Sequence, residues 1–433
     1  MPDPQTSLFS MSLIQHVRLL LLGAGTALKE LPGWEKPIHV FWLLGPFILL
    51  IERSPADIWL SLLAVVFAAR ALWQRDGSWL RHLWVRAAFM FWAVCLLSAA
   101  LSTVPGYALG EAFSWFRFPL FAMATVFWLG KDRRLIYLML LSTGVGMMIM
   151  TGILTAEILI EGQKNGRLSW PYGDLNPGNY LTKAGLPAFC VMVAFAFGAR
   201  GKTSLVIGVL ISFSLALSVL TGERMNLILR VCAGLLAGVS WRFIWSRYVL
   251  VAALVLALLV TVSGLQDGMD ERFTTAIAND LPTGADSDYF QVMGGGVMAF
   301  FEAPLLGIGT ANYRDLCSDI LPGESAFRCD NHPHNYYIQM LAETGILGFI
   351  TGVFMICTIV WTLFRAGRTH NQNVVAATAY IVPFGLFFPI QSTADFFGQW
   401  NNIFMWSAVA LSMTAAHLDV GSGSGMIKPD ARS

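Results

Sequence analysis

The chain has 433 residues, 56% of them hydrophobic and only 13% charged, with a mean hydropathy of +0.61. Soluble domains carry about a quarter charged residues, so a soluble enzyme is excluded at the outset. Its 28 Lys and Arg balance 27 Asp and Glu for a formal net charge of +1, which leaves no global field of the kind that attracts nucleic acid.

A helix needs about 20 mostly apolar residues to cross about 30 Å of hydrocarbon, where its backbone has no outside hydrogen-bond partner. Residues 1–37 contain one apolar stretch, Leu8 to Leu22, broken by Gln15, His16 and Arg18. It reads as an interfacial amphipathic helix in a cytoplasmic N-terminal segment. Asp3, the lack of an early base and the lack of a small-residue cleavage site argue against a signal peptide. About twelve spans follow. Nine lie in residues 38–263: Ile38 to Ile51, Asp57 to Trp73, Leu83 to Leu101, Ala112 to Gly130, Leu135 to Ile158, Tyr180 to Phe197, Ser204 to Leu220, Met225 to Val239, and Tyr248 to Val262. Three more lie in residues 336–418: Tyr337 to Leu363, Val374 to Ile390, and Ile403 to Leu418. The expected fold is all-α and polytopic, with a long outer loop at 264–335 and a Gly- and Ser-rich disordered tail at 419–433.

Basic residues orient the bundle, because cytoplasmic loops are enriched in Lys and Arg. Alternate loops hold Arg75, Arg81 and Arg86; Lys131, Arg133 and Arg134; Arg200 and Lys202; Arg242 and Arg247; Arg365 and Arg368. Both termini are therefore expected in the cytoplasm. Three loops fall outside: Glu161 to Asn179, the turn Thr221 to Arg224, and 264–335, which is too long for a mere connector. Its apolar segment Tyr289 to Phe301 predicts a small helical layer over the outer face. Cys317 and Cys329 share that loop and are expected to pair in an oxidising compartment, the alternative being two free thiols. Cys95, Cys190, Cys232 and Cys357 fall in spans, where buried thiols are ordinary.

An ionisable side chain at membrane depth is by default a functional hypothesis. Arg70 and Arg230 read as snorkelling or helix-pairing residues. Arg117, Lys183 and Arg224 lie near the outer ends of their spans, with Arg167 in the adjoining loop. As a set they favour a phosphate or diphosphate, which the planar guanidinium fork binds through paired hydrogen bonds. Individually, each could instead pair with Glu111, Glu157, Glu161 or Glu223. In the loop EGQKNGRLSWPYGDLNPGN, Gly166, Gly173 and Gly178 permit close backbone approach, Pro171 and Pro177 set turns, and Trp170 and Tyr172 offer faces for sugar rings. Interfacial aromatics in a turn-rich loop are the alternative.

The most informative stretch is NHPHNYYIQMLAETGILG, Asn331 to Gly348, preceded by the turn PLLGIG, Pro304 to Gly309. A histidine where the outer loop re-enters the membrane can take a proton from a sugar hydroxyl, or serve as a structural hydrogen-bonder. These residues resemble the O-antigen ligase and O-antigen polymerase superfamily, whose pattern is His, then Asn, Ser or Gln, nine residues, Gly, two residues, and Gly, Thr or Tyr. Here it reads His334, Asn335, Tyr336 to Thr344, Gly345, Ile346 and Leu347, then Gly348.

The resemblance implies a membrane glycosyltransferase of the GT-C type, metal-independent, without a cofactor and inverting, at the periplasmic face of the bacterial inner membrane. Its expected reaction, in lipopolysaccharide biosynthesis, transfers a preassembled glycan from undecaprenyl diphosphate to a lipid A-core sugar hydroxyl. Beyond that donor and acceptor the expected partners are membrane lipids, with no nucleic acid. The family's catalytic His falls on His334, its outer-face Arg on Arg224, and its other Arg positions on Arg117 and Arg167. Lys183 would assist at the diphosphate, His332 would shape the loop, and Asn335 belongs to the motif. Where the family often has a further Arg before the PLLGIG turn, this chain has Asp286, Ser287 and Asp288, leaving Arg272 as a distant substitute. That aspartate pair could hold a divalent cation, whereas the resemblance implies that arginines neutralise the charge. An O-antigen polymerase shares the motif, and a protein O-oligosaccharyltransferase is a third acceptor choice; one dominant outer loop and compact length favour the ligase. A secondary transporter would place its charges near the midplane and show related halves. No internal repeat is evident, and the charges cluster at one face.

Overall fold

The computed structural model describes residues 13–162, 168–173, 176–198, 202–221, 224–240, 287–321, 325–369, 374–389 and 394–418. Among the described residues every regular element is helical. The first helices are α1 (Leu13–Glu30), α2 (Glu35–Leu43), α3 (Gly45–Ile48), α4 (Arg53–Gln74) and α5 (Leu83–Ala100). They are followed by α6 (Pro105–Trp115), α7 (Arg117–Ala124), α8 (Arg133–Ile160), α9 (Asn176–Asn179), α10 (Leu186–Gly198), α11 (Lys202–Leu220) and α12 (Arg224–Ser240). The outer layer contains α13 (Asp288–Glu302) and α14 (Tyr313–Ile320), and the chain returns through α15 (Tyr336–Thr369), α16 (Val374–Ala379), α17 (Ile381–Leu386) and α18 (Gln399–Leu418).

Five of these are long and apolar enough to cross a membrane: α4, α5, the continuous stretch Pro105–Leu129 through α6 and α7, α8, and α15. A sixth crossing results if Pro177–Ala184 and Leu186–Ala196, bent by 60° at Gly185, count as one. That is fewer than the twelve apolar runs in the sequence, and the differences have local causes. The run Ile38 to Ile51 is not one helix. It divides between α2 and α3 where Gly45 lies against the Trp59 ring and the Pro46 carbonyl accepts the Tyr180 hydroxyl at 2.9 Å. The run Val374 to Ile390 is likewise divided, with α16 ending at Ala379 and α17 at Leu386. The loop expected between Leu101 and Ala112 is short instead, because Pro105 opens α6 at a position where its missing N–H costs nothing. The run Tyr248 to Val262 and the tail 419–433 lie outside the described residues, as do residues 1–12.

The centre of the bundle is α18, whose residues Asn401 to Ala415 are buried on every side. A helix apolar around its whole circumference has to be surrounded. Trp406 meets Trp115 edge-on at 6.0 Å, and Phe396, just before the helix, stacks on Trp115 at 5.9 Å. The two deep arginines serve helix pairing. Arg70 on α4 reaches Glu35 on α2 at 3.3 Å and lies 5.2 Å over the Trp128 ring. Arg230 on α12 donates to the Ser214 carbonyl at 2.9 Å, to its hydroxyl at 2.9 Å and to Ser218 on α11, with the Phe189 ring 4.4 Å beneath. Cys95 and Cys190 are buried, whereas Cys232 and Cys357 are exposed on helix surfaces, contrary to the expectation for those two.

Candidate active site

The motif segment is built around two backbone devices. At its start, Asn335 caps α15: its Oδ1 accepts the N–H groups of Tyr337 at 3.0 Å and Ile338 at 3.3 Å, two donors that a helix start otherwise leaves unpaired. Its amide group donates to the Pro389 carbonyl at 2.9 Å, which fastens the helix start to the segment after α17. Inside α15, Gly345 has φ 63° and ψ −167° and interrupts the helix. Only glycine adopts that conformation without strain.

The PLLGIG turn fills the interruption. Ile308 and Gly309 donate to the carbonyls of Ala342 and Glu343, each at 3.0 Å, and Ile346 and Leu347 donate to the carbonyls of Pro304 and Leu305 at 2.9 and 3.3 Å. The broken ends of α15 are thereby satisfied on both sides. The two backbones touch: a Cβ at Gly307 would lie 2.3 Å from the Glu343 carbonyl carbon, and one at Gly345 would lie 2.4 Å from Leu305. The motif glycine and the upstream turn are one structural unit, and they hold the outer layer on α5 and α15. Thr310 donates to the Cys95 carbonyl at 3.1 Å and Ser98 to that of Glu343 at 2.8 Å.

His334 immediately precedes the cap and has φ 55°, a left-handed conformation that costs a non-glycine residue about 1–3 kcal/mol. Its Nε2 lies 3.2 Å from Asp330 Oδ2, its ring is 4.3 Å from that of His332, and Tyr289 of α13 meets it edge-on at 6.0 Å. Its side chain is 28% exposed, so the imidazole is held but reachable. Partial burial pushes the Asp330 carboxyl up. The Asn331 N–H, the His334 hydrogen bond and the His334 and His332 charges outweigh that effect and hold it below the ordinary carboxylate range. A carboxylate at Nε2 fixes the imidazole with that nitrogen protonated and leaves Nδ1 as the basic position. Asp330 follows Cys329, which is disulfide-bonded to Cys317 with Cα atoms 5.7 Å apart. Cys317 belongs to a small core with Ala299, Ile308, Tyr313 and Ala342, so the carboxylate is tethered to the outer layer.

Beneath His334 lies a polar network between α15 and α18. The Gln339 amide donates to Asp395 Oδ1 at 2.6 Å and to Glu343 Oε1 at 3.3 Å, and its carbonyl accepts the Phe396 N–H at 2.8 Å. Glu343 Oε2 accepts the Ala311 N–H at 2.8 Å, and Arg314 lies 3.9 Å from Asp395. Asn401 donates to the Asp395 carbonyl at 2.9 Å and accepts from the Tyr336 hydroxyl, also at 2.9 Å. Asp330, Gln339, Glu343 and Asp395 were not singled out from the sequence. Glu343 lies inside the apolar run Tyr337 to Leu363, where a carboxylate is a usable signal in the sequence; Asp395, 56 positions from Gln339, carried none.

The cations expected at the diphosphate are distributed differently. Lys183, buried at the bend below α9, donates to Asn401 and lies 3.5 Å from the Tyr336 hydroxyl, so it joins the network under the motif helix. Arg117 is engaged by Asp57 at 3.1 Å, by the Ser114 carbonyl at 2.7 Å and by the Phe118 face at 4.4 Å. Among the described residues its acidic partner is thus Asp57, and not Glu111, Glu157 or Glu161; Glu223 lies outside the described residues. Glu157 instead receives Ser169 N–H at 2.9 Å, Ser169 hydroxyl at 3.0 Å and Trp170 N–H at 2.9 Å, closing the loop onto α8. Tyr172 in that loop donates to the Leu49 carbonyl at 2.7 Å and meets Trp400 edge-on at 5.1 Å, so it ties the loop to the bundle. Arg224 is the first residue of α12, and its side chain lies outside the description; Arg167, Gly166, Arg272 and Asp286 lie outside the described residues altogether. Asp288 pairs with Arg328 at 3.1 Å, and among the described residues no group of three His, Cys, Asp or Glu could hold a metal ion. His332, His334 and Asn335 are therefore brought together, and Lys183 is connected to them through Tyr336.

Residues 188–353 match a family model described as O-antigen ligase, and the match supports membership of that superfamily. No curated protein matches the chain. The matched segment includes α12, the PLLGIG turn, His334 and the helix break at Gly345.

Proposed function

We propose, from the match of residues 188–353 to the O-antigen ligase family model, that the chain is an O-antigen ligase. It transfers a preassembled glycan from undecaprenyl diphosphate to a sugar hydroxyl of lipid A-core. The observation that carries this reading is the His334–Asp330 pair, 3.2 Å apart, mounted on a complete family motif within the matched segment. The full bundle has about twelve spans in a GT-C arrangement, with both termini in the cytoplasm of a bacterial inner membrane. The 264–335 layer then covers the periplasmic face.

In the reaction the acceptor oxygen attacks the anomeric carbon from the side opposite the diphosphate. The new C–O bond forms as the old one breaks, its electron pair leaves on the diphosphate, and configuration inverts. The acceptor proton passes to Nδ1 of His334, whose Nε2–H is held by Asp330. Arg167 and Arg224 stabilise the charge developing on the diphosphate, as donors do at an oxyanion, and Arg117 joins them by exchanging its Asp57 partner for the diphosphate. Lys183 adds positive potential from the floor of the site, His332 shapes the loop, and Arg272 is a more distant anion contact. The step needs no metal and no cofactor.

Reconstitution of the purified protein with a polyprenyl-diphosphate-linked glycan and rough lipopolysaccharide tests the reading. A ligase caps the lipopolysaccharide in one transfer, and EDTA leaves turnover unchanged. Growth of the lipid-linked glycan without capping would identify a polymerase instead. Strict dependence on Mg²⁺ or Mn²⁺ would refute the proposed chemistry.

A further inference from the structure

The helix α13, DYFQVMGGGVMAFFE, has Asp288, Gln291 and Glu302 near its ends and is otherwise apolar apart from Tyr289. One stripe, Val292, Gly295, Gly296 and Ala299, is buried. It packs on the head of α15 closely enough that a Cβ at Gly296 would lie 2.6 Å from Ile338 and 2.8 Å from Pro333. At about 100° per residue, Phe290, Val297 and Phe301 fall within about 40° of one another on the opposite side of the helix. All three are exposed, Phe301 by 65%, and Leu305 in the following turn by 59%.

This stripe does not stop at the turn. Pro304 and Leu305 are hydrogen-bonded through their carbonyls to Ile346 and Leu347. The stripe therefore continues onto the exposed face of α15: Ile346, Leu347, Ile350 and Phe354. Twenty residues of α15, from Gly345 to Phe364, cover about 30 Å, so with Arg365 at one boundary the helix break falls at the other. We propose that the Phe290–Val297–Phe301 face of α13, with Leu305, is a membrane-docking surface seated in the lipid boundary beside His334. Its occupant is bilayer hydrocarbon, because the patch is continuous with the lipid-facing side of a span. Apolar patches of this extent are unusual on surfaces that face water. Since α13 runs alongside α15, with Gly296 at Ile338 and Pro304 at Ile346, Phe301 and Leu305 lie deepest and Phe290 lies nearest water. The inference rests on α15 as a span, and not on the transfer reaction.

Nitroxide labels on F290C, V297C, F301C and L305C, in full-length protein in nanodiscs with the four free cysteines replaced, report depth by collision with oxygen and with a water-soluble nickel chelate. I350C serves as the lipid reference and D319C as the water reference. Labels at 301 and 305 should match I350C within a factor of about two, with 290 intermediate, as for a helix seated about 5–10 Å into the boundary. Labels at 301 and 305 as accessible to nickel as D319C would overturn the proposal. So would shielding from both relaxants, which would mean that a protein covers the face. Hydroxyl-radical footprinting of the unaltered chain gives the same decision without substitutions. Phe301 should stay unmodified in nanodiscs while the His334 side chain, 28% exposed, is oxidised; oxidation of both would refute it.

Discussion

Gly345→Ala tests the joint between the outer layer and the membrane helix. The glycine has φ 63° and ψ −167°, a region that is essentially closed to a side chain, so alanine incurs about 1–3 kcal/mol of strain. The new Cβ would also lie 2.4 Å from both the carbonyl carbon and oxygen of Leu305, which is backbone and cannot rotate away. Relief requires the turn to separate from the helix break. That lengthens the bonds from Ile346 to Pro304 at 2.9 Å and from Leu347 to Leu305 at 3.3 Å, each contributing about 1 kcal/mol. A total of about 3 kcal/mol is a conservative expectation, roughly a hundredfold in the folded-to-unfolded ratio. The assay is SDS titration of the purified protein in mixed micelles, followed by circular dichroism. Gly152→Ala on α8 is the control, because nothing lies within 4 Å of its Cβ and alanine is favoured there by about 0.5–1 kcal/mol. Gly345→Ala should unfold at a clearly lower SDS fraction than wild type, and Gly152→Ala should not. If both variants unfold with wild type, the interlocked-backbone explanation of the motif glycine is wrong.

Other outcomes follow from the outer layer. Alkylation of denatured, unreduced protein should modify four thiols, and prior reduction should raise that to six, because Cys317 and Cys329 are paired; intact mass distinguishes the two. Asp330 has a depressed folded value, so its contribution to holding the loop is full above the ordinary carboxylate range and is lost as pH falls through that lower value. Proteolysis of the loop should therefore stay flat from pH 7 down to about 4 and rise only below it. Asp330→Asn should abolish that rise, and an unchanged acid profile in the variant would exclude Asp330 as the titrating group.

The pairing of Cys317 with Cys329 was readable from sequence, because one outer loop brings the two within reach. Asn335 and Gly345 were legible only as members of the motif, and their work as a helix cap and a helix break emerges from the hydrogen bonds and the backbone angles. Pro105 fell in an expected loop and instead opens a helix. Hydropathy reads the free energy of transferring a segment into lipid, and says little about whether its hydrogen-bond ladder continues. Ile38 to Ile51 is apolar enough, yet it breaks where Gly45 meets Trp59, a contact between two helices that no local pattern encodes. The site divides the same way. His334 was legible through its motif, but Asp330 four residues earlier was not, because a carboxylate near a histidine is common in polar loops. The Asp57 partner of Arg117 is 60 positions away and depends on how α4 packs against α7.

The central claim is that His334 is the base in glycan transfer, and the most direct measurement is ligation by purified His334→Ala with lipid-linked donor and lipopolysaccharide acceptor. The account predicts a fall of about 10²–10⁴-fold in turnover, with the variant retaining the wild-type SDS unfolding midpoint. Wild-type turnover by that variant would contradict it.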